Sequence, residues 1–393
     1  MRGFSFTIKR CLFLSGKKLI TLAKVLSIIP YKILPAQMGG QKGIHLFYEF
    51  LQQHVPVTAL CTSNNDFASP TRYETRAFLT DKKSRYADLS LVGRICNLIR
   101  QEGFTHFITE HPYYAWLGYA VQQRTGVKWI VHSHNIEYLR FKDLGKPWWP
   151  ILRRYEQWAY RKADATFFIS DDDKQWALQH MRTPASKAWE ATYGLEQPSF
   201  PTDKLQQQQL IRQKHRIPEG DAIILFNGSL RYEPNLFALE RILHDINPAL
   251  MQSGLSYKIV VCGSGLPESY QQLQPWKDQH IVYAGFVDDI DPYFKAADIF
   301  LSPIVGGGGI KTKIVEALGL GNTVITTANA AIGLNIPACG NKLQIVDNND
   351  WTGFTEATVQ CIKKGDYLAV TPSSFYDYYY WDNIIQRILP VFG

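Results

Sequence analysis

From about Lys24 onward, short runs of consecutive apolar residues alternate with longer stretches whose apolar residues recur at helical spacing. A strand that is apolar at every position is buried on both faces. It therefore needs helices above and below its sheet, and the alternation predicts parallel α/β layers. In the first half, residues 25–29, 57–61, 104–109, 129–131 and 165–169 read as strands. Ile44, Phe47 and Leu51 mark the helix after the first of them, and further helices are expected over 89–99, 115–123, 151–162 and 174–180. The polar piece 198–216, with its run Gln206 to Gln209, interrupts the pattern and reads as a linker plus the first helix of a second unit. A new series follows, with strands at 223–226, 258–261, 281–283, 299–302 and 323–326. A helix over 235–246 carries Leu236, Leu239, Ile242 and Leu243 as its apolar stripe. The 393 residues accommodate two such domains. The expected fold is α/β: two doubly wound, Rossmann-like parallel-sheet domains facing a cleft, over 21–197 and 198–372.

Ligands of such sheets sit at the carboxyl ends of the strands, and the most suggestive loop lies at one. Gly306, Gly307, Gly308 and Gly309 follow the strand at 299–302 and lead through Ile310, Lys311, Thr312 and Lys313 into a helical pattern. Backbone without Cβ atoms approaches a ligand closely, and the free N–H groups of a helix start favour an anion. Lys311 and Lys313 add positive charge, and Glu316 shares their side of the helix. The set suits a nucleoside diphosphate, with phosphates on the loop and ribose hydroxyls on Glu316. Gly39 and Gly40, in the first strand-to-helix loop, are a second place for backbone amides to meet donor sugar or phosphate. A turn that merely needs glycine explains one of them and the other less naturally. His132 and His134 lie two residues apart, so on a strand they share a face. Glu110 and His111 end the strand at 104–109 and are candidates for an acceptor side, with Asn135 and Glu137 placed to orient the loop after His134. Tyr113-Tyr114 and Trp148-Trp149 read first as packing, with sugar stacking or a membrane surface as their other uses.

Charge is unevenly placed. The net charge is +7, and no Asp or Glu precedes Glu49, while Lys and Arg recur from Arg2 to Lys42. A basic extension over 1–20 is expected to meet an anionic membrane surface. It reads neither as a signal peptide nor as a transmembrane helix, because Gly16-Lys17-Lys18 interrupts the apolar run. The six cysteines are scattered without a CxxC pair, which argues against a zinc site or disulfide framework and for a reducing, cytoplasmic setting; with the basic extension, the expected place is peripheral on the inner face of a membrane. No recognition motif supports a nucleic-acid partner.

Several segments carry a resemblance in order: Val131-His132-Ser133-His134-Asn135-Ile136-Glu137, Phe226-Asn227-Gly228-Ser229-Leu230, Val260-Val261-Cys262-Gly263-Ser264-Gly265, and the glycine loop through Glu316-Ala317. Together, over about residues 22–390, the chain resembles the retaining two-domain glycosyltransferases of family 4 (glycosyl transferases group 1, GT-B fold). The resemblance implies transfer of a hexose-type sugar from a UDP- or GDP-type nucleotide sugar to a hydroxyl of a glycan or lipid-linked glycan, in cell-surface polysaccharide biosynthesis. It implies His134 and Glu316 as catalytic residues and no metal or other cofactor. Donor-binding positions would be Gly39, Gly40, Asn227, Gly228, Ser229, Gly263, Gly307, Gly308, Gly309, Ile310, Lys311, Lys313 and Glu316. Residues 373–393 resemble the family's terminal helix, which crosses back to the first domain. Two departures stand out. Gly308 occupies the place of the first of two glutamates, and Ser229 and Pro234 stand where many members have Arg and Lys. Diphosphate charge would then fall to the loop amides and to Lys311 or Lys313. A nucleotide-sugar epimerase of the same fold and a non-catalytic nucleotide- or glycan-binding relative are the alternatives.

Overall fold

The computed structural model describes residues 22–393, so the basic extension over 1–20 lies outside the described residues. The first domain holds strands β1 (Val25–Ile28), β2 (Val57–Thr62), β3 (Glu74–Leu79), β4 (His106–Glu110), β5 (Lys128–Ser133), β6 (Ala165–Phe168) and β7 (Ala188–Glu190). They form one seven-stranded sheet in the order β3-β2-β1-β4-β5-β6-β7. The second domain holds β8 (Ala222–Asn227), β9 (Tyr257–Cys262), β10 (Ile281–Gly285), β11 (Ile299–Ser302), β12 (Thr323–Thr327) and β13 (Leu343–Val346). These form a six-stranded sheet in the order β10-β9-β8-β11-β12-β13. Neighbouring strands are parallel throughout, as the continuous apolar runs require.

In each sheet the chain winds outward from its first strand, then crosses back to that strand's other side. The order therefore reverses between β1 and β4 in one sheet and between β8 and β11 in the other. At such switch points the loops diverge and leave a crevice. Glu110 ends β4, and the loop to Gly39 follows β1; Asn227 ends β8, and the glycine loop follows β11.

Three strands go beyond the sequence expectation: β3, β7 and β13. Each is an edge strand. With one flank open to water an edge strand needs no unbroken apolar run, and β3 accordingly exposes Glu74 and Ala77. The helix expected over 235–246 is Glu233–Arg241, followed by a wider π turn over Ile242–Ile246 and the helix Asn247–Met251. Pro248 has no N–H to donate to the carbonyl four residues back, which accounts for the altered turn.

The chain end forms two helices, Ser373–Tyr379 and Trp381–Ile388, separated by Tyr380 in an extended conformation. The last helix lies on the first-domain helix Gly39–Leu51, where the Trp381 and Phe50 rings stack with centroids 6.4 Å apart and His54 Nε2 meets Asp382 at 2.7 Å. Beside the bend, Leu195 donates to the Tyr379 carbonyl at 2.7 Å and accepts from Trp381 at 3.0 Å. The two crossings between the domains are thus hydrogen-bonded to each other.

Candidate functional site

The first-domain wall of the cleft is a polar network at the carboxyl ends of β1, β4 and β5. Glu110 is fully buried, and the register pairs it with His132. His132 and His134 fall on one side of β5 and its continuation, so both imidazoles reach that carboxylate. Oε1 accepts from the Tyr48 hydroxyl and lies 3.1 Å from His132 Nδ1, while Oε2 lies 2.5 Å from His134 Nε2. Ser27 on β1 donates to the Tyr48 oxygen at 2.6 Å. Burial pushes the Glu110 carboxyl up, but the two imidazoles outweigh it and hold the group well below the usual carboxylate range. Burial lowers His132 from its ordinary value, and the Glu110 carboxylate opposes that shift. An ionised carboxylate only accepts, so His134 donates from Nε2, and in the neutral imidazole Nδ1 is then the acceptor.

A second layer stands behind the first. His111 adopts φ 60°, ψ 160°, a region a bulky residue enters at a cost of about 1–3 kcal/mol. Its Nε2 meets the Tyr31 hydroxyl at 2.8 Å, its Nδ1 lies 3.3 Å from Glu137 Oε1, and its ring centroid is 4.6 Å from that of His134. Glu137 is fully buried and also accepts from the Tyr113 hydroxyl at 2.7 Å. Burial raises its carboxyl, but His111, Tyr113 and Arg140 hold it at about 2. Glu137 begins the helix Glu137–Asp143, and Glu156 on the helix Trp149–Lys162 caps that start by accepting from the Glu137 and Tyr138 amides at 2.9 and 2.8 Å. Burial pushes the Glu156 carboxyl up to about 8.

The second-domain wall is built on backbone. Gly263 packs so tightly that a Cβ there would collide with the Gly228 carbonyl oxygen, which brings the ends of β8 and β9 together. Ser229 is exposed beside them, and its carbonyl accepts from Asn235 Nδ2 at 2.9 Å. Lys313 reaches under this turn, donating to the Asn227 carbonyl at 2.9 Å and to Asn235 Oδ1 at 3.0 Å. Lys311 folds back on the glycine loop and donates to the Gly307 and Gly309 carbonyls at 2.8 and 3.0 Å. Burial lowers both lysines to about 8. Carbonyls of the loop are thereby taken by an ammonium group. Asn227 Oδ1 is buried and has no hydrogen-bond partner among the described residues. Gly308 stands in open space, so packing does not demand glycine there. Ile310 packs toward Gly333.

The walls meet at named places. Asn135 Oδ1 abuts Gly309, whose φ of 73° and lack of Cβ both permit the approach. A Cβ on Gly39 would strike Thr312 Oγ1, while Gly40 next to it is open. Gly39 starts the helix Gly39–Leu51 and Thr312 starts the helix Thr312–Gly319, so two helix N-termini converge across the cleft. Glu316 Oε1 accepts from the Tyr193 hydroxyl at 2.6 Å and lies 3.9 Å from Lys42 Nζ. Burial raises the Glu316 carboxyl, and Lys42 and Tyr193 counter it.

Tyr193, Lys42, Tyr48, Tyr31 and Asn235 belong to these walls and escape the sequence reading. Tyr193 follows β7, itself unread, and the others lie on helices or loops far along the chain from their partners. Glu110, His132 and His134 also hold three possible metal-ligating atoms within 4.8 Å of one another. Their mutual hydrogen bonds already satisfy the carboxylate.

Residues 221–364 match the family model described as Glycosyl transferases group 1, and residues 39–189 match that of Glycosyltransferase Family 4. The putative glycosyltransferase EpsD of Bacillus subtilis (strain 168) is 23% identical over 211 residues, which is 53% of this chain and 53% of that protein. The match thus spans about half the length of the curated relative. Among solved structures, sucrose-phosphate synthase from Thermosynechococcus elongatus superposes with a TM-score of 0.68 at 15% identity, covering 94% of this chain and 98% of that one. A glycosyltransferase from Rickettsia africae gives 0.69 at 13% identity with the same coverage. Anabaena HepE in complex with UDP and glucose gives 0.66 at 14% identity, again covering 94% and 98%. These structural likenesses establish the GT-B arrangement of the two sheets.

Proposed function

From a chain that belongs to the group 1 glycosyltransferases of the family 4-like type, we propose retaining transfer of a hexose-type sugar from a nucleoside diphosphate sugar. The acceptor is a hydroxyl of a glycan or lipid-linked glycan in cell-surface polysaccharide biosynthesis. The observation that carries this reading is the convergence of two helix N-termini, at Gly39 and Thr312, over a loop whose carbonyls are held back by Lys311. That geometry offers amides and positive helix ends to a diphosphate. The HepE structure is described as holding UDP and glucose, which favours a uridine donor over a guanosine one.

Each wall has its part. Lys313 uses two of its three N–H groups on Asn227 and Asn235, leaving one for phosphate. Tyr193 and Lys42 both engage Oε1 of Glu316, leaving Oε2 to accept from ribose hydroxyls. Asn227 Oδ1, buried without a partner, is an acceptor waiting for a donor hydroxyl or amine. Across the cleft His134 Nδ1 takes a hydrogen bond from the sugar, and the Glu110 anion behind it favours the positive charge that grows at the anomeric carbon. No side chain is assigned as general base; in this reading the departing phosphate oxygen takes the acceptor proton. The departing charge is met by amides, helix ends and lysines, so the reading requires no metal.

The test is a transfer assay with UDP- and GDP-sugars, read by NMR at the new anomeric centre, with and without chelator. Retained configuration and chelator-insensitive turnover are expected. An inverted product would remove the retaining assignment, and an epimerised donor in the absence of acceptor would favour the epimerase. Tight diphosphate binding without turnover would favour a binding protein.

A further inference from the structure

The helices Glu137–Asp143 and Trp149–Lys162 form a hairpin on the first domain, and its tip presents an unusual surface. Leu144, Trp148 and Ile151 are 58%, 43% and 71% exposed, although each is a large apolar residue. They lie on the turn that joins the helices and on the first turn of the second: Leu144 caps the first helix, Trp148 packs on Phe141 with ring centroids 4.5 Å apart, and the Ile151 amide donates to the Trp148 carbonyl at 3.1 Å. Around them stand the exposed cations Arg140, Lys142, Lys146, Arg153 and Arg154, against Asp143 as the one exposed acid over residues 138–155. Rings hold three of the cations at the flanks: Arg140 over Phe141, Lys142 over Trp149 and Arg153 over Tyr138. An apolar cluster inside a ring of cations matches the interface of an anionic bilayer, where apolar side chains enter the headgroup boundary and cations meet the negative surface. A bilayer boundary supplies an apolar phase and a negative surface together, which is what the cluster and its cations call for.

The hairpin base lies at the candidate site. Glu137, at the start of the first helix, holds His111, whose ring is 4.6 Å from that of His134. The span from Glu137 to Leu144 is seven residues, about 10 Å of helix. We infer that this tip seats the first domain on an anionic lipid surface, so that an acceptor rooted in the bilayer reaches His134 with its sugar at about that height. The placement of the acceptor rests on the glycosyl-transfer reading above; the lipid contact itself does not.

The experiment uses the full chain and vesicles of phosphatidylcholine with and without phosphatidylglycerol. Leu144→Ser/Trp148→Ser/Ile151→Ser should lower vesicle co-sedimentation by about a hundredfold, with an unchanged circular-dichroism melt. Lys146→Glu/Arg153→Glu/Arg154→Glu should remove the preference for phosphatidylglycerol. In the wild-type chain, hydrogen exchange of residues 142–151 should slow when phosphatidylglycerol vesicles are added. Unchanged co-sedimentation of the serine variant would overturn the inference. So would a serine variant that instead converts a dimer to a monomer, because the tip would then join two copies of the chain. Sugar transfer to a water-soluble acceptor should be equal in wild type and both variants. Absence of transfer in all three would count against the enzymatic reading and leave the vesicle result standing.

Discussion

Replacing Glu110 by Gln keeps the shape of the buried network and removes its charge. The amide has one acceptor and one donor end. With its oxygen toward Tyr48 and His132, its NH2 faces His134 Nε2, whose partner now sits at 2.5 Å. Two N–H groups cannot point at each other, so a neutral His134 moves its proton to Nδ1 and turns a donor toward the sugar where it had an acceptor. The loss is a charge-assisted hydrogen bond of about 1.5–3 kcal/mol, which at about 1.36 kcal/mol per decade predicts a fall in kcat of roughly 10- to 150-fold. Donor KM should hold within about threefold, because Glu316 and Lys313 are on the other wall. A merely structural carboxylate would not produce that split. In stability, the folded Glu110 carboxyl lies below its unfolded value of about 4.3, so its contribution is present above that pH and is lost as pH falls through the depressed folded value. The melting-temperature gap between wild type and variant should therefore narrow in acid. The assay is donor titration at saturating acceptor, paired with melts at neutral and acid pH. A kcat within about threefold of wild type would refute the coupling of Glu110 to His134.

His134→Ala should remove most turnover, by about a hundredfold or more, while calorimetric affinity for the free nucleoside diphosphate stays nearly intact. Near-normal turnover in well-folded protein would falsify its place at the reacting sugar and turn attention to His132 or His111. Glu316→Gln should weaken diphosphate binding about tenfold, because a neutral amide accepts less strongly from ribose hydroxyls; unchanged affinity would put Glu316 outside the donor site. Glu156 is an acid raised by burial to about 8, so its stabilisation is complete below its unfolded value of about 4.3 and is lost as pH rises through about 8. Glu156→Gln should accordingly flatten the decline in melting temperature between about pH 4.3 and about pH 8, and a decline there as steep as in wild type would show that Glu156 does not cause it.

The central strands could be read from sequence because they are buried on both faces: β8 and β11 carry the apolar runs Ile223 to Phe226 and Ile299 to Leu301, and β1 and β4 are buried at every position. Of the four edge strands only β10 could be: Glu74, Arg76 and Gln344 belong to strands but face water or a neighbour on one side only. The site shows the same division. Gly306 to Gly309, Glu316 and His134 announce themselves by local pattern, because loop, helix start and strand end are adjacent in the chain. What Glu110 does depends on the register that sets it opposite His132 and on Tyr48 arriving from a distant helix, and neither follows from spacing. Tyr193 is hidden for the same reason, since its partner Glu316 belongs to the other domain.

The hydrogen bonds that join Leu195 to Tyr379 and Trp381 have a mechanical consequence. Two separate tethers between domains would permit twisting and sliding; two tethers laced side by side behave as a single door hinge and leave chiefly one rotation. Points close to a hinge pin travel little, and Tyr193 is two residues from Leu195. Glu316 is therefore expected to keep its tyrosine while the jaws swing, and the larger travel falls to the contact of Asn135 with Gly309. Spin labels placed beside those two pairs would register the difference as a steady short distance at one and a nucleotide-dependent one at the other. The nucleoside end of the donor would meet a rigid socket, and only the sugar end would feel the gate.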